Sequence, residues 1–159
     1  MKATADLCDL FEDRVVVLAP LFRHFGGARQ FHGPIVTVRV RDDNSMVRKQ
    51  LETEGLGRVL FVDGHGSTKC ALLGDQLAEL AIRNGWAGVI VNGCIRDSAE
   101  IRNMPLGVMA RATHPCKSQK RNSGETQVPV QIEGVELRPG QFLYADDDGI
   151  VISSEELLS

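Results

Sequence analysis

The 159-residue sequence predicts an α/β sandwich built on a mixed sheet. Three observations carry this. Short apolar runs of strand type recur along the whole chain, and stretches of helical periodicity lie between some of them. The last strand runs are separated by turns alone. The alternation of strand and helix is irregular, which argues against a doubly wound parallel sheet.

In chain order, Thr4 stands where it can cap a first helix, with Leu7, Leu10 and Phe11 on one face. Residues 15–18 form a short strand ended by Pro20. Gly26-Gly27 and Gly33-Pro34 read as plain turns around a connecting segment. Residues 35–40 alternate as a half-buried strand, and DDNS then opens a second helix over 46–54, with Val47 and Leu51 on one face. A strand over 59–62 leads into Gly64-His65-Gly66-Ser67. That loop lacks the signatures of a phosphate cradle, so a nucleotide site is excluded. The expectation is that it forms one wall of a cleft, with Asp63 or Ser67 nearby. His65 has no second histidine at ligand spacing and reads as a loop residue.

A helix over 76–84 places Leu77, Leu80 and Ala81 together, with Gly74-Asp75 before it and Asn84-Gly85 after it. Residues 89–91 are a buried strand broken by Gly93, and 107–111 another strand. The stretch RATHPCKSQKRNSGE reads as a solvated basic loop, with Arg111, Lys117, Lys120 and Arg121 available for steering an anion. Short strands follow over 128–132, 135–137 and 142–144. Asp146-Asp147-Asp148-Gly149 lacks the ligand spacing of an EF-hand and reads as a hairpin turn. SSEELLS suggests a short helical tail.

Composition bounds the function. The length fits one domain, 1–159, with a sizeable core. A formal net charge of −3 argues against direct nucleic-acid binding. No apolar run approaches a membrane span, and the acidic start (Asp6, Asp9, Glu12, Asp13) is unlike a signal peptide, so a cytoplasmic location is expected. Cys8, Cys70, Cys94 and Cys116 form no C-x-x-C pair, which argues against a zinc site or redox dithiol.

The chemistry concentrates between Gly74 and Glu100. Free amides at Asp75, Gln76 and Leu77 open a helix and suit a carboxylate. Arg96 can grip an oxyanion with two parallel hydrogen bonds. Asp97 is a hard oxygen ligand for a divalent cation that keeps most of its waters. Together they suit a substrate with adjacent carboxylate and keto oxygens. Each residue also has a plain structural role open to it. Asp75 can be an N-cap, Asp97 and Glu100 a capping box, and Arg96 and Asp97 a surface ion pair.

Asp75, twenty intervening residues, then Arg96-Asp97 and Glu100 resemble the D-x20-R-D-x2-E signature of RraA-like proteins. The resemblance extends through PLFRHFGGARQFHGPIVTVR, GRVLFVDGHGS and LYADDDGIVIS. That family includes metal-dependent 4-hydroxy-4-methyl-2-oxoglutarate aldolases and regulators of ribonuclease activity. The resemblance implies a compact β/β/α swivelling-type fold and a ring-shaped homotrimer with sites between subunits. For the enzyme it implies cleavage of the aldol to two pyruvates, with oxaloacetate decarboxylation as a side activity through a shared pyruvate enolate. In that scheme Asp97 binds Mg²⁺ or Mn²⁺, Arg96 holds the oxygen that gains charge, and Gly74 to Leu77 seat the substrate carboxylate. Asp75 orients or activates a water, and Glu100 supports the metal's waters. The alternative is a regulator that binds ribonuclease E; regulators of the family can lack the aspartate of the Arg-Asp pair, which is complete here. Some aldolases of the family use a longer C-terminal segment to bring an acidic residue to a neighbouring site; Glu155 and Glu156 are the acidic residues at that end here. Of the five lysines, only Lys69 lies beside an apolar segment, so a metal is favoured over a Schiff base.

Overall fold

Four α-helices and twelve strands alternate along residues 1–157, the part of the chain that the structure, a computed structural model, describes. The first elements are α1 (Thr4–Leu10), β1 (Val15–Val17), β2 (Arg23–His24), β3 (Phe31–Arg39) and α2 (Ser45–Leu51). Then come β4 (Val59–Asp63), β5 (Ala71–Leu73), α3 (Asp75–Arg83), β6 (Gly88–Ile95), α4 (Ser98–Ile101) and β7 (Gly107–Thr113). The chain closes with β8 (Glu125–Thr126), β9 (Val130–Ile132), β10 (Val135–Leu137), β11 (Phe142–Asp146) and β12 (Gly149–Ser153).

Strand β3 joins two kinds of sheet. Its first half pairs antiparallel with β11, Phe31 opposite Ala145. Its second half pairs parallel with β4, from Ile35 opposite Val59 to Arg39 opposite Asp63. The mixed ten-stranded sheet runs β1-β12-β11-β3-β4-β6-β7-β2, with β5 beside β6 and β8 beside β3. Within it β3, β4, β6 and β7 are parallel, and α2, α3 and α4 fall between successive members. The centre of the sheet therefore does show strand–helix alternation. The antiparallel strands around it hid that pattern in the sequence.

The pleat sends alternate residues to opposite faces. Val36, Val38, Leu60, Val62, Val89 and Val91 pack with Val47, Leu51, Leu77, Ala78 and Ile101 of the helices. Ile35, Val59, Phe61, Ile90 and Met109 pack on the other side with Val130, Ile132, Leu137 and Leu143. The result is three layers, β/β/α, with the parallel strands buried on both faces.

Several expectations shift. Thr4 does not cap α1. It is the first helical residue, and its N–H and Oγ1 donate to the Asp146 carboxylate at 2.7 and 2.6 Å. Burial pushes that carboxyl up, but bonds from Thr4, Asp148 and Gly149 outweigh it and hold Asp146 below the usual range. This use of Asp146 suits the hairpin in which Asp146 faces Gly149. Leu10 is exposed rather than on the buried face. Strand β3 begins at Phe31, so Gly33-Pro34 lies inside a strand. Nor is Gly26 a plain turn residue: a Cβ there would stand 2.1 Å from the Leu106 carbonyl oxygen, so the glycine permits close backbone approach. Helix α2 ends at Leu51, short of 54. Residues 154–157 are not helical, and the last two residues of the expected tail lie outside those described.

Candidate active site

The site lies at the carboxyl ends of parallel strands β5 and β6, where open α/β sheets place their ligands. Leu73 pairs with Ile95, and the Arg96 N–H donates to the Leu73 carbonyl at 2.9 Å. That bond carries the ladder one residue further. It sets Arg96-Asp97 beside Gly74-Asp75, the start of α3. Strand β6 is not broken by Gly93. Val91 faces Ala110 and Cys94 faces Ala112, so three steps on β6 match two on β7. The extra residue is a bulge, a common device for re-aiming a strand end near a site.

Asp97 is the residue that ties the site together. Its backbone is left-handed, at φ 57° and ψ 38°. It stands before α4, yet its carboxylate does not cap that helix. Oδ2 instead accepts the Asp75 N–H at 3.0 Å, so Asp97 occupies the mouth of α3 from outside. The capping-box role for Asp97 and Glu100 is thus not realised. Of the three amides expected to seat a substrate, the Asp75 N–H is engaged by Asp97 and the Gln76 N–H interacts with the Asp75 carboxylate, leaving Leu77. Gly74 makes this approach possible, because a Cβ there would lie 2.8 Å from Asp97 Oδ2 and 3.5 Å from Arg96 Nε.

Arg96 forms no ion pair with Asp97 or with any other acidic side chain among the described residues. Its guanidinium lines a pocket of about 130 Å³ together with Gly74, Asp75, Gln76, Leu77 and Asp97. Drug-sized ligand pockets run roughly 300–1,000 Å³, so the room suits a small acid. Glu100 is exposed on α4 and lies outside this pocket. The loop 64–67 is elsewhere too: Asp63 accepts from Asn92 at 2.9 Å, and Ser67 donates to Asp42. It is not a wall of the cleft.

Six pocket residues lie outside the predicted site: Asn44, Arg48, Ala71 and Leu73, together with Lys117 and Lys120, which the sequence offered only for steering an anion. The basic loop that holds the lysines is anchored rather than merely solvated. Buried Asp43 accepts the N–H groups of Arg121 and Ser123 at 2.8 and 3.2 Å, and Ser118 exchanges hydrogen bonds with Asn44. Burial pushes the Asp43 carboxyl up, but its bonds from Ser45, Arg121 and Ser123 win and keep it below the usual range. The Asp-Asp-Asn-Ser run was the available signal: short polar side chains of this kind seek nearby backbone N–H groups.

Asp75 is held above the ordinary carboxylate range, first by desolvation and then by the neighbouring Asp97 carboxyl. A raised acid favours the folded state when protonated and loses that advantage as pH rises through its folded pKa. Asp75→Asn should therefore melt at a higher temperature than wild type at neutral pH. The gain should vanish below pH 3.8, the unperturbed value, where both proteins are uncharged at this position. Melting curves from pH 3 to 8 test this, and an equal or lower melting temperature at pH 7 would count against the carboxyl–carboxyl contact.

A divalent cation can be tested against the donors present. Among the described residues no group of three histidine, cysteine or acidic side chains converges. The donor set is one carboxylate already oriented by an amide, a second carboxylate beside it, and an open pocket. That suits a magnesium-type ion, which takes one or two carboxylates and fills its remaining positions with water and substrate.

The Aldolase/RraA model of the RraA-like family matches residues 4–152. This chain belongs to the RraA-like family. A protein of Laribacter hongkongensis, named "Putative 4-hydroxy-4-methyl-2-oxoglutarate aldolase", is 56% identical over 155 residues, 98% of each chain. The solved RNA-processing inhibitor RraA from Thermus thermophilis superposes with a TM-score of 0.95 at 48% identity, covering 100% of this chain and 97% of that one. A Geobacillus kaustophilus structure described as an S-adenosylmethionine:2-dimethylmenaquinone methyltransferase gives 0.96 at 52% identity, covering 98% and 97%. The RraA-like fold thus carries three different functional names, and the pocket has to choose between them.

Proposed function

We propose that this RraA-like protein is a divalent-metal-dependent aldolase that cleaves 4-hydroxy-4-methyl-2-oxoglutarate to two pyruvates and decarboxylates oxaloacetate as a side activity. The observation that carries this reading is the unpaired Arg96 guanidinium beside an Asp97 carboxylate fixed on the α3 amide. A regulator acting through its surface has no need of such an arrangement. A methyl donor the size of S-adenosylmethionine also suits poorly a small pocket in which half of the lining residues are charged.

Asp97 would hold the cation, with Asp75 next to it. The bound ion would supply Lewis acidity toward the substrate's keto and carboxylate oxygens. The protein's own groups do the rest. The Leu77 N–H, at the positive end of α3, receives the substrate carboxylate. Arg96 stabilises the oxygen on which charge develops as the carbon–carbon bond breaks. Asp75, whose affinity for a proton is raised by desolvation and by the Asp97 carboxyl, takes the substrate's hydroxyl proton directly or through a water. Decarboxylation needs the same electron sink, so one site serves both reactions. Glu100 is too far out on α4 to line the pocket, and any influence on the ion would pass through water.

Purified protein with Mg²⁺ should release two pyruvates per aldol consumed and one per oxaloacetate. Absence of both products would sink the proposal. We extend it to a cytoplasmic homotrimer with the pocket near a subunit interface, since the described chain leaves the pocket open and Val16 and Val17 of edge strand β1 exposed. Light scattering that reads a monomer across micromolar concentrations would count against the trimer.

A further inference from the structure

The bulge in β6 falls between Val91 and Cys94, just before Arg96-Asp97, and Asn92 lies inside it. A bulge interrupts the regular ladder and leaves backbone groups to find other partners. Asn92 replaces the lost order with both its backbone and its side chain. Its carbonyl accepts the Gly64 N–H at 3.0 Å and the Gly66 N–H at 3.1 Å, both from the loop after β4. Its Nδ2 donates to Asp63 Oδ1 at 2.9 Å, and the same oxygen accepts the His65 N–H at 3.0 Å. Its Oδ1 accepts the Nε–H of Arg111 on β7. Asn92 and Asp63 are each only 5% exposed, so solvent does not make good a bond lost there. Arg111 lies outside the candidate pocket and is held from behind by Glu133 at 3.6 Å, on the turn between β9 and β10. One side chain thus ties the bulge to the strands on either side of β6. Beyond the bulge β6 resumes its pairing, Cys94 with Ala71 and Ala112, and Ile95 with Leu73 and Thr113. The Arg96 N–H bond to Leu73 and the Asp97 bond to the Asp75 N–H follow directly on that register.

We propose that Asn92 is a positioning residue: by locking the β6 bulge to Asp63 and Arg111, it fixes the direction in which Arg96 and Asp97 leave the strand. Asn92 lies outside the pocket and acts only through those two residues. This rests on the reading above in giving Arg96 and Asp97 the chemistry. A displacement on the order of 1 Å at such groups costs about a hundredfold in rate. A buried asparagine with a purely structural role would contribute stability alone.

The test compares Asn92→Ser with Val59→Ala, a core variant at the far end of β4 that lowers stability without touching the bulge. Two readouts are taken well below either melting temperature: amide hydrogen exchange at Arg96 and Asp75 without substrate, and kcat for pyruvate release. Asn92→Ser should speed exchange at both amides by about tenfold or more, the scale of one lost buried hydrogen bond. It should lower kcat by about ten- to a hundredfold. Val59→Ala should melt earlier and leave both readouts at wild-type values. Should Asn92→Ser fail to fold, Arg111→Met removes one of the same bonds from a half-buried side chain and should give the same pattern more weakly. Unchanged exchange at Arg96 and Asp75, or unchanged kcat where exchange rises, overturns the positioning role. An equal fall in kcat for Val59→Ala overturns it too. Exchange is read without turnover, so an inactive wild type overturns the aldolase reading, while faster exchange in the variant still upholds Asn92 as the residue that sets the strand end.

Discussion

Asp97→Asn should lower pyruvate release by about 10²-fold or more and leave the melting temperature level with wild type or slightly above it. The expected loss follows from weakening the hold on a cation whose Lewis acidity is worth several kcal/mol, with each 1.36 kcal/mol a factor of ten. Asparagine keeps nearly the same shape and its side-chain oxygen can still accept the Asp75 N–H that Asp97 Oδ2 accepts at 3.0 Å. It also tolerates the left-handed backbone at this position better than most residues, since asparagine is enriched there. Removing one of two adjacent carboxylates relieves the pressure that raises Asp75, which accounts for any gain in melting temperature. Fold and chemistry therefore separate in this variant. Extra Mg²⁺ or Mn²⁺ should restore part of the rate, because substrate oxygens remain as ligands. If the variant matches wild type in the presence of a chelator, Asp97 serves only to close the end of α3.

Arg96→Lys should cost about 10²- to 10³-fold in kcat, the range found when a donor to a developing oxyanion is removed. Lysine keeps the charge but loses the planar fork that grips two oxygens. The side chain passes Gly74, with Cγ and Nε each 3.5 Å from where a Cβ would sit, so its path depends on the absence of a side chain at that position. Arg96 has no acidic partner among the described residues whose loss would disturb the fold, and melting should barely change. Steady-state kinetics on the aldol substrate and on oxaloacetate should fall together. Wild-type turnover would exclude Arg96 from the chemistry.

The heart of the site was legible because Gly74, Asp75, Arg96 and Asp97 belong to one helix–strand unit. A helix start and a strand end are visible as local patterns, and parallel pairing of β5 with β6 brings them together. The direction of the Asp97 carboxylate was not legible. Helix-capping statistics point it at its own helix, whereas the ladder bond from Arg96 to Leu73 turns it toward α3. The place of Arg48, Lys117 and Lys120 in the pocket was out of reach for another reason, although the sequence offers the lysines for steering an anion. They come from α2 and from the loop after β7, and only the packing of those segments around β5 carries them to the pocket. The same limit applies to the fold. Most strands and helices follow from apolar periodicity, but β2, β5 and β8 were not predicted, and the double pairing of β3 depends on which strands lie beside it. Gly93 offered a usable hint, since an isolated glycine in a strand pattern marks a bulge as readily as a break.

The RNA-processing inhibitor from Thermus thermophilis shares this fold, so an inactive protein would return attention to protein binding. The most direct measurement is therefore the rate of pyruvate release from 4-hydroxy-4-methyl-2-oxoglutarate against free Mg²⁺, starting from chelator-treated wild-type protein. The account predicts a rate near background in chelator that rises and saturates as Mg²⁺ or Mn²⁺ is restored. Turnover that is unaffected by chelator, or absent at every metal concentration, would contradict it.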